Sequence, residues 1–208
     1  MALALPVLVR GINNLSDARY CAGMGAQGLI FSLDTTLPDA VDATTARELS
    51  GWVAGVDIIG EFGHVAGPEI NRIVEECGLT GVLLRIDSTR DGWPQGLAVP
   101  VLIEVPEVVL THPDHLRTVV EELNTSFPEG YALLGEAPRP YPTDRDLYHQ
   151  LARQLPLWLM APLDPTEAAD TAQRVHPAGL VLSGGDEIKP GLRDFTELEA
   201  VFEALEEA

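Results

Sequence analysis

The stretch Gly28-Leu29-Ile30-Phe31-Ser32 decides the fold. Its apolar residues run on without alternation, so both faces of the extended segment are buried, as in a strand of an all-parallel sheet. Behind it, residues 16–24 read as a helix, opened by Ser16 as N-cap and ended near Gly25. Ahead of it, residues 44–53 read as another. The same alternation recurs in both directions. Short apolar runs fall at residues 3–9, 28–32, 56–60, 81–85, 99–104, 131–134, 157–161 and 179–182. Helical stretches fall at residues 16–24, 44–53, 68–77, 113–123, 143–155, 165–175 and 195–205. Pro113 and Pro165 sit at first-turn positions, where a missing N–H costs nothing, and Asp164 is a good N-cap. The connection over residues 87–99 holds Gly92, Pro94 and Gly96, so the helix after the fourth strand is shortened or missing.

Strands and helices in strict alternation imply βα units with right-handed crossovers. A closed (β/α)8 TIM barrel and an open doubly wound sheet both fit, and the barrel is favoured. No glycine-rich dinucleotide fingerprint follows the first strand, where the chain reads Val9-Arg10-Gly11-Ile12-Asn13-Asn14. Residues 1–208 are expected to form a single, minimal barrel domain.

Composition narrows the partners. The chain has 208 residues and 22.4 kDa, with 46% hydrophobic and 22% charged residues, a globular balance. Thirteen basic residues against 32 acidic ones leave a net charge of −19. That excludes the basic face a nucleic acid or anionic lipid surface would need. A small anionic molecule stays compatible, because a few local arginines can outvote the net charge inside a cleft. Lys189 is the only lysine. Cys21 and Cys77 form no CxxC pair and read as buried thiols in a reducing compartment. The apolar start, residues 1–9, lacks the basic region of a signal peptide and reads as a strand. No apolar run approaches the ~20 residues needed to span a bilayer. These features point to a cytoplasmic protein, and they leave the oligomeric state open.

Barrels place their chemistry at the carboxyl ends of the strands. The polar residues closing the runs are Arg10, Ser32, Asp34, Glu61, Arg85, Asp87, Glu104, Glu136 and Ser183, while the seventh strand closes on Met160-Ala161-Pro162. One reading is an anion-recognising pocket, with Arg10 and Arg85 as forked donors and Glu61, Glu104 or Glu136 as acid or base. The other is a ring of ion pairs that plugs the mouth, since buried charges must pair. Glu61, Asp87 and Glu104 could hold a hard cation, but no His closes a strand, so no metal is assigned. His64 follows the third strand; the remaining histidines fall at helix ends or on helix faces. Trp158 reads as core packing. Ser183, Gly184 and Gly185, after the eighth strand, could present backbone N–H groups to a phosphate, although Asp186 and Glu187 follow directly.

Three segments resemble the phosphoribosylanthranilate isomerase family. Residues 9–18, Val-Arg-Gly-Ile-Asn-Asn-Leu-Ser-Asp-Ala, resemble the family's opening Lys-x-Cys-Gly-Ile-Thr-Asn-x-x-Asp-Ala. Residues 22–31 resemble its second strand and the preceding turn. Ser183-Gly184-Gly185 with residues 189–194 resembles its Ser-Gly-Val-Glu…Pro-Gly-Val-Lys-Asp ending. The resemblance implies a small single-domain barrel of tryptophan biosynthesis. It implies an Amadori rearrangement of an aminoaldose phosphate to an aminoketose, run without metal or cofactor. The family's base is the Cys of its first motif and its acid an Asp closing strand six. Here the Cys position holds Arg10, which cannot act as a base near pH 7. The family Lys before it is replaced by Leu8, and the Asp position falls on Gly135 with Glu136 one residue on. The Gly-Gly phosphate loop reads Ala161-Pro162, and the Arg that grips the anthranilate carboxylate is missing from residues 34–39.

Three functional readings follow. One is an isomerase-like barrel with a rebuilt strand-end site, weak or inactive in the family reaction and binding another small anionic ligand such as a sugar phosphate or carboxylate. The second is an active isomerase with a displaced acid and base. The third is a non-catalytic scaffold barrel.

Overall fold

The computed structural model describes residues 3–85, 92–137, 142–162, 164–184, 186–189 and 192–206. Of the sequence expectations, Asp87 and Gly185 lie outside the described residues. The chain runs β1 (Val7–Arg10), α1 (Leu15–Gly23), β2 (Gly28–Ser32), α2 (Ala43–Ser50), β3 (Asp57–Phe62), α3 (Gly67–Cys77), β4 (Gly81–Arg85) and β5 (Val101–Glu104). It continues through α4 (Glu107–Thr111), α5 (Pro113–Ser126), β6 (Ala132–Glu136), α6 (Pro142–Ala152), β7 (Leu157–Met160), α7 (Pro165–Val175) and β8 (Gly179–Ser183). A hairpin of β9 (Asp186–Lys189) and β10 (Leu192–Asp194) precedes α8 (Thr196–Glu206).

Strands β1 to β8 close into a parallel barrel, with β1 paired to β8. This is the (β/α)8 architecture, and residues 92–100, between β4 and β5, carry no helix. Three local details differ from the sequence reading. The N-cap of α1 is Asn14, whose side chain accepts from the Asp17 backbone N–H at 3.0 Å; Ser16 lies inside the helix. The short α4 precedes α5 and is set off from it by His112, the residue before Pro113, a position biased toward extended backbone. After β8, β9 and β10 pair as an antiparallel hairpin, which the sequence reading did not include. Asp164 caps α7 by accepting from Glu167 N–H, with Pro165 next, as expected. Cys21 and Cys77 are buried and form no disulfide. Among the described residues no helix is long and apolar enough to cross a membrane.

Two apolar bodies hold the barrel. The larger lies between sheet and helices. The smaller fills the barrel interior with Leu8, Ile30, Ile59, Leu83, Leu102, Leu134 and Val181, joined by Ala132, Trp158 and Met160. Register arranges this interior in levels. Arg10 pairs with Ile30, Glu61 with Leu83, Glu104 with Leu134 and Met160 with Val181. Each of these four crossings is offset by two residues between interior positions, which is the stagger that tilts the strands of a closed eight-stranded barrel. Side chains from alternate strands therefore share a level. Leu8, Ile59, Leu102 and Trp158 form one, and Ile30, Leu83, Leu134 and Val181 the next.

Trp158 closes the lower end, as core packing. A Cβ on Gly179 would lie 2.3 Å from its ring. A rigid ring cannot yield as a flexible side chain would. Gly179→Ala is therefore expected to lower stability by about 1–3 kcal/mol in urea unfolding, with the barrel otherwise retained.

Candidate functional site at the strand ends

Two residues beyond the apolar interior, every strand places one more side chain inward. The odd strands supply Arg10, Glu61, Glu104 and Met160; the even strands supply Ser32, Arg85, Glu136 and Ser183. All eight line one cavity of about 380 Å³, completed by Gly11, Pro38, Asp39 and Gly184. A smaller recess of about 160 Å³ adjoins it, lined in part by Arg85, Glu104, Glu107, Glu136 and Met160. Seven of the nine strand-end residues named from the sequence thus meet at one mouth; Asp34 does not line it, and Asp87 lies outside the described residues.

The odd-strand level is a closed ion-pair plate. Arg10 Nε donates to Glu61 Oε2 at 3.0 Å, and Nη2 donates to Glu61 Oε1. Nη1 and Nη2 donate to the two oxygens of Glu104, at 3.2 and 2.8 Å. Nη1 also reaches Met160 Sδ at 3.7 Å. A guanidinium has five N–H donors, and these five contacts engage all of them. In this arrangement all five Arg10 donors face protein acceptors. Burial alone would lower the Arg10 pKa, but the hydrogen bonds and charges of Glu61 and Glu104 outweigh it and raise it above the usual guanidinium value. A permanent cation here cannot serve as a base.

Glu61 and Glu104 are equally committed. Besides Arg10, Glu61 accepts from Ser32 Oγ at 3.1 Å, and its side chain is only 3% exposed. Arg85 Nε lies 3.2 Å from Glu104 Oε2, and its Nη1 lies 3.8 Å from Glu61 Oε1. Carboxylates whose lone pairs face guanidinium N–H groups have little left to take a proton from a substrate. The even-strand level differs. The Arg85 side chain is 39% exposed and its Nη2 takes part in neither contact. Glu136 and Ser183 are exposed at the cavity wall.

Alternation on β6 settles which residue stands at the rim. Leu134 points into the barrel, so Glu136 does too. Gly135 faces outward, where an added Cβ would come within 2.2 Å of Leu110.

The turn after β8 offers less to a phosphate than its sequence suggests. Gly184 N–H donates to the Arg10 carbonyl at 2.8 Å, extending the β1–β8 ladder. A hairpin follows, in the place where barrels often set a short helix N-terminus against a phosphate. After β7, Ala161 N–H donates to Val181 O at 3.0 Å, and Pro162 has no N–H. Among the described residues no group of three or more His, Cys, Asp or Glu could hold a metal ion.

Asp34 ties the loops after β2 and β3. Its carboxylate accepts from Thr36 N–H and Oγ1, and from the N–H groups of Gly63 and His64, at 2.7–3.1 Å. This anchors a loop that brings Pro38 and Asp39 to the cavity edge. Asp39 holds a left-handed φ of 54°, and Asn13 Nδ2 donates to it at 3.5 Å. Sequence reading missed Asp39 and Glu107, because neither closes a strand.

Glu61→Ala would leave a buried guanidinium half unpaired and is expected to cost about 3–5 kcal/mol. Glu136→Ala, at an exposed carboxylate, is expected to stay within about 0.5 kcal/mol. Urea unfolding of both variants checks the contrast. A second expectation concerns acid. Burial raises the Asp34 pKa, but the hydrogen bonds from Thr36, Gly63 and His64 prevail and hold it below the usual carboxylate value. Its contribution to stability is therefore present above the unfolded value, about 3.9, and is lost as pH falls through the lower folded value. Thermal midpoints should fall more steeply below about pH 4 in the natural chain than in Asp34→Asn.

The chain is similar along its length to known proteins of one kind. It is 28% identical over 210 residues to an N-(5'-phosphoribosyl)anthranilate isomerase of Trichormus variabilis, covering 96% of this chain and 97% of that one. It is 28% identical to the protein of that name from Myxococcus xanthus, covering 97% and 96%. No protein-family model matches. Among solved structures, phosphoribosylanthranilate isomerase from Thermotoga maritima superposes with a TM-score of 0.76 at 17% identity, over 98% of this chain and 100% of that one. The Thermus thermophilus enzyme superposes with a TM-score of 0.73 at 24% identity, over 97% and 98%. The structural likeness is one of fold, and the sequence likeness runs over nearly the whole chain: this chain is a phosphoribosylanthranilate isomerase-like (β/α)8 barrel.

Proposed function

We propose that this barrel carries a rebuilt strand-end site that is weak or inactive in the family's isomerisation and takes a different small ligand bearing a carboxylate. The observation that carries the reading is the saturation of Arg10. The family resemblance implies a thiol base at this position. In its place stands a cation whose five donors are held by Glu61, Glu104 and Met160. Loss of the base alone removes about 10²–10⁴ in rate. The family's carboxylate-gripping Arg is missing after strand two, and the cavity edge there carries Asp39 instead. The phosphate donors are reduced to the Ser183 hydroxyl and whatever Gly185 contributes. Among the described residues Arg85 is the cavity cation left for ligand recognition, with Glu136 as the carboxylate available for proton transfer. The ligand-binding residues are then Arg85 and Ser183, with Arg10, Glu61 and Glu104 as the floor. The site calls for no cofactor, and the protein acts in the cytoplasm on a small molecule.

Purified protein is expected to give no detectable turnover of phosphoribosylanthranilate, and its high-level expression is expected not to rescue a tryptophan auxotroph that lacks the isomerase. Rescue, lost in Glu136→Gln, would replace this reading with that of an active isomerase. One observation favours that second reading: Glu136 closes strand six on the interior face, at the rim. Its carboxylate could serve as the displaced acid.

A further inference from the structure

The balance of charge around the mouth carries the reading one step further. Main cavity and recess together are lined by two guanidiniums, Arg10 and Arg85, and five carboxylates, those of Asp39, Glu61, Glu104, Glu107 and Glu136. The plate below consumes Arg10, Glu61 and Glu104 in mutual pairs, and Arg85 leans on the same two glutamates. Glu107 and Glu136 then face the recess with no guanidinium paired to either among the described residues. Arg85 stands between, lining both spaces.

A purely anionic ligand would gain Arg85 and meet the repulsive field of the carboxylates that line the same mouth. A purely cationic ligand would leave the exposed edge of Arg85 unanswered. A molecule with both signs answers each. Resting on the carboxylate reading above, we infer that the mouth binds a small amino-carboxylate zwitterion, its carboxylate on Arg85 and its ammonium in the recess between Glu107 and Glu136. An ammonium offers three donors and no acceptor, which suits a wall of carboxylate oxygens. A guanidinium edge suits a carboxylate. The volume agrees, since about 380 Å³ is at the small end of ligand pockets.

The test is calorimetric titration of the full-length protein at pH 7 and low salt. The probes are glycine, 3-aminopropanoate, 4-aminobutyrate, butyrate, butylamine and inorganic phosphate. At least one of the three amino acids is expected to bind about tenfold more tightly than butyrate or butylamine, the loss of one charge-assisted contact. Glu136→Gln or Glu107→Gln should weaken that amino acid about tenfold and leave butyrate no weaker. Arg85→Ala should abolish both, with each variant's unfolding midpoint recorded as a folding control. Butyrate binding as tightly as every amino acid, indifferent to Glu136→Gln and Glu107→Gln, would overturn the zwitterion and keep the Arg85 carboxylate site. Binding of none of the probes, or of phosphate most tightly, would overturn both.

Discussion

A guanidinium enclosed by two carboxylates organises this molecule's working end. Arg10 is too buried to be left to water, and a buried charge without partners is untenable. Glu61 and Glu104 supply the compensating charge and four of the acceptors, and Met160 takes the fifth N–H. Each partner stands on a different odd-numbered strand, so one side chain ties β1 to β3, β5 and β7 across the barrel. Such a plate is weak evidence for stability by itself, because desolvation offsets much of the attraction. Its effect is geometric: it makes a floor beneath the level above.

That level consists of Ser32, Arg85, Glu136 and Ser183, and its character follows from what the floor has used. Ser32 is drawn down to Glu61. Among the described residues Arg85 is only partly engaged and Glu136 is paired with no guanidinium, and the proposed recognition rests on these two. The loop anchored by Asp34 adds Asp39 at the edge, and α4 adds Glu107 beside the recess. A (β/α)8 scaffold can carry different sites at its mouth, because barrel stability resides in the interior and helix-facing layers while the strand ends are free to change.

Much of this was legible in the chain. Continuous apolar runs give buried parallel strands, and the polar residue closing each run is the one that reaches the mouth. Both facts follow from alternation in extended chain, a local rule. Four features were not legible. Asn14 took the cap from Ser16 because capping depends on backbone geometry at the first turn. The hairpin after β8 and the short α4 depend on packing over the barrel ends. The phosphate turn read from Ser183-Gly184-Gly185 did not disclose that Gly184 N–H is bound to Arg10 O.

The sequence by itself determined the barrel and the strand-end side chains at its rim, because periodicity and strand-end position are properties of neighbours along the chain. Only the tertiary structure decided which of those side chains are spent on one another. Arg10 meets Glu61 and Glu104 across 51 and 94 residues of sequence. What brings them level is the stagger of the closed sheet, and a stagger exists only once the last strand has paired with the first.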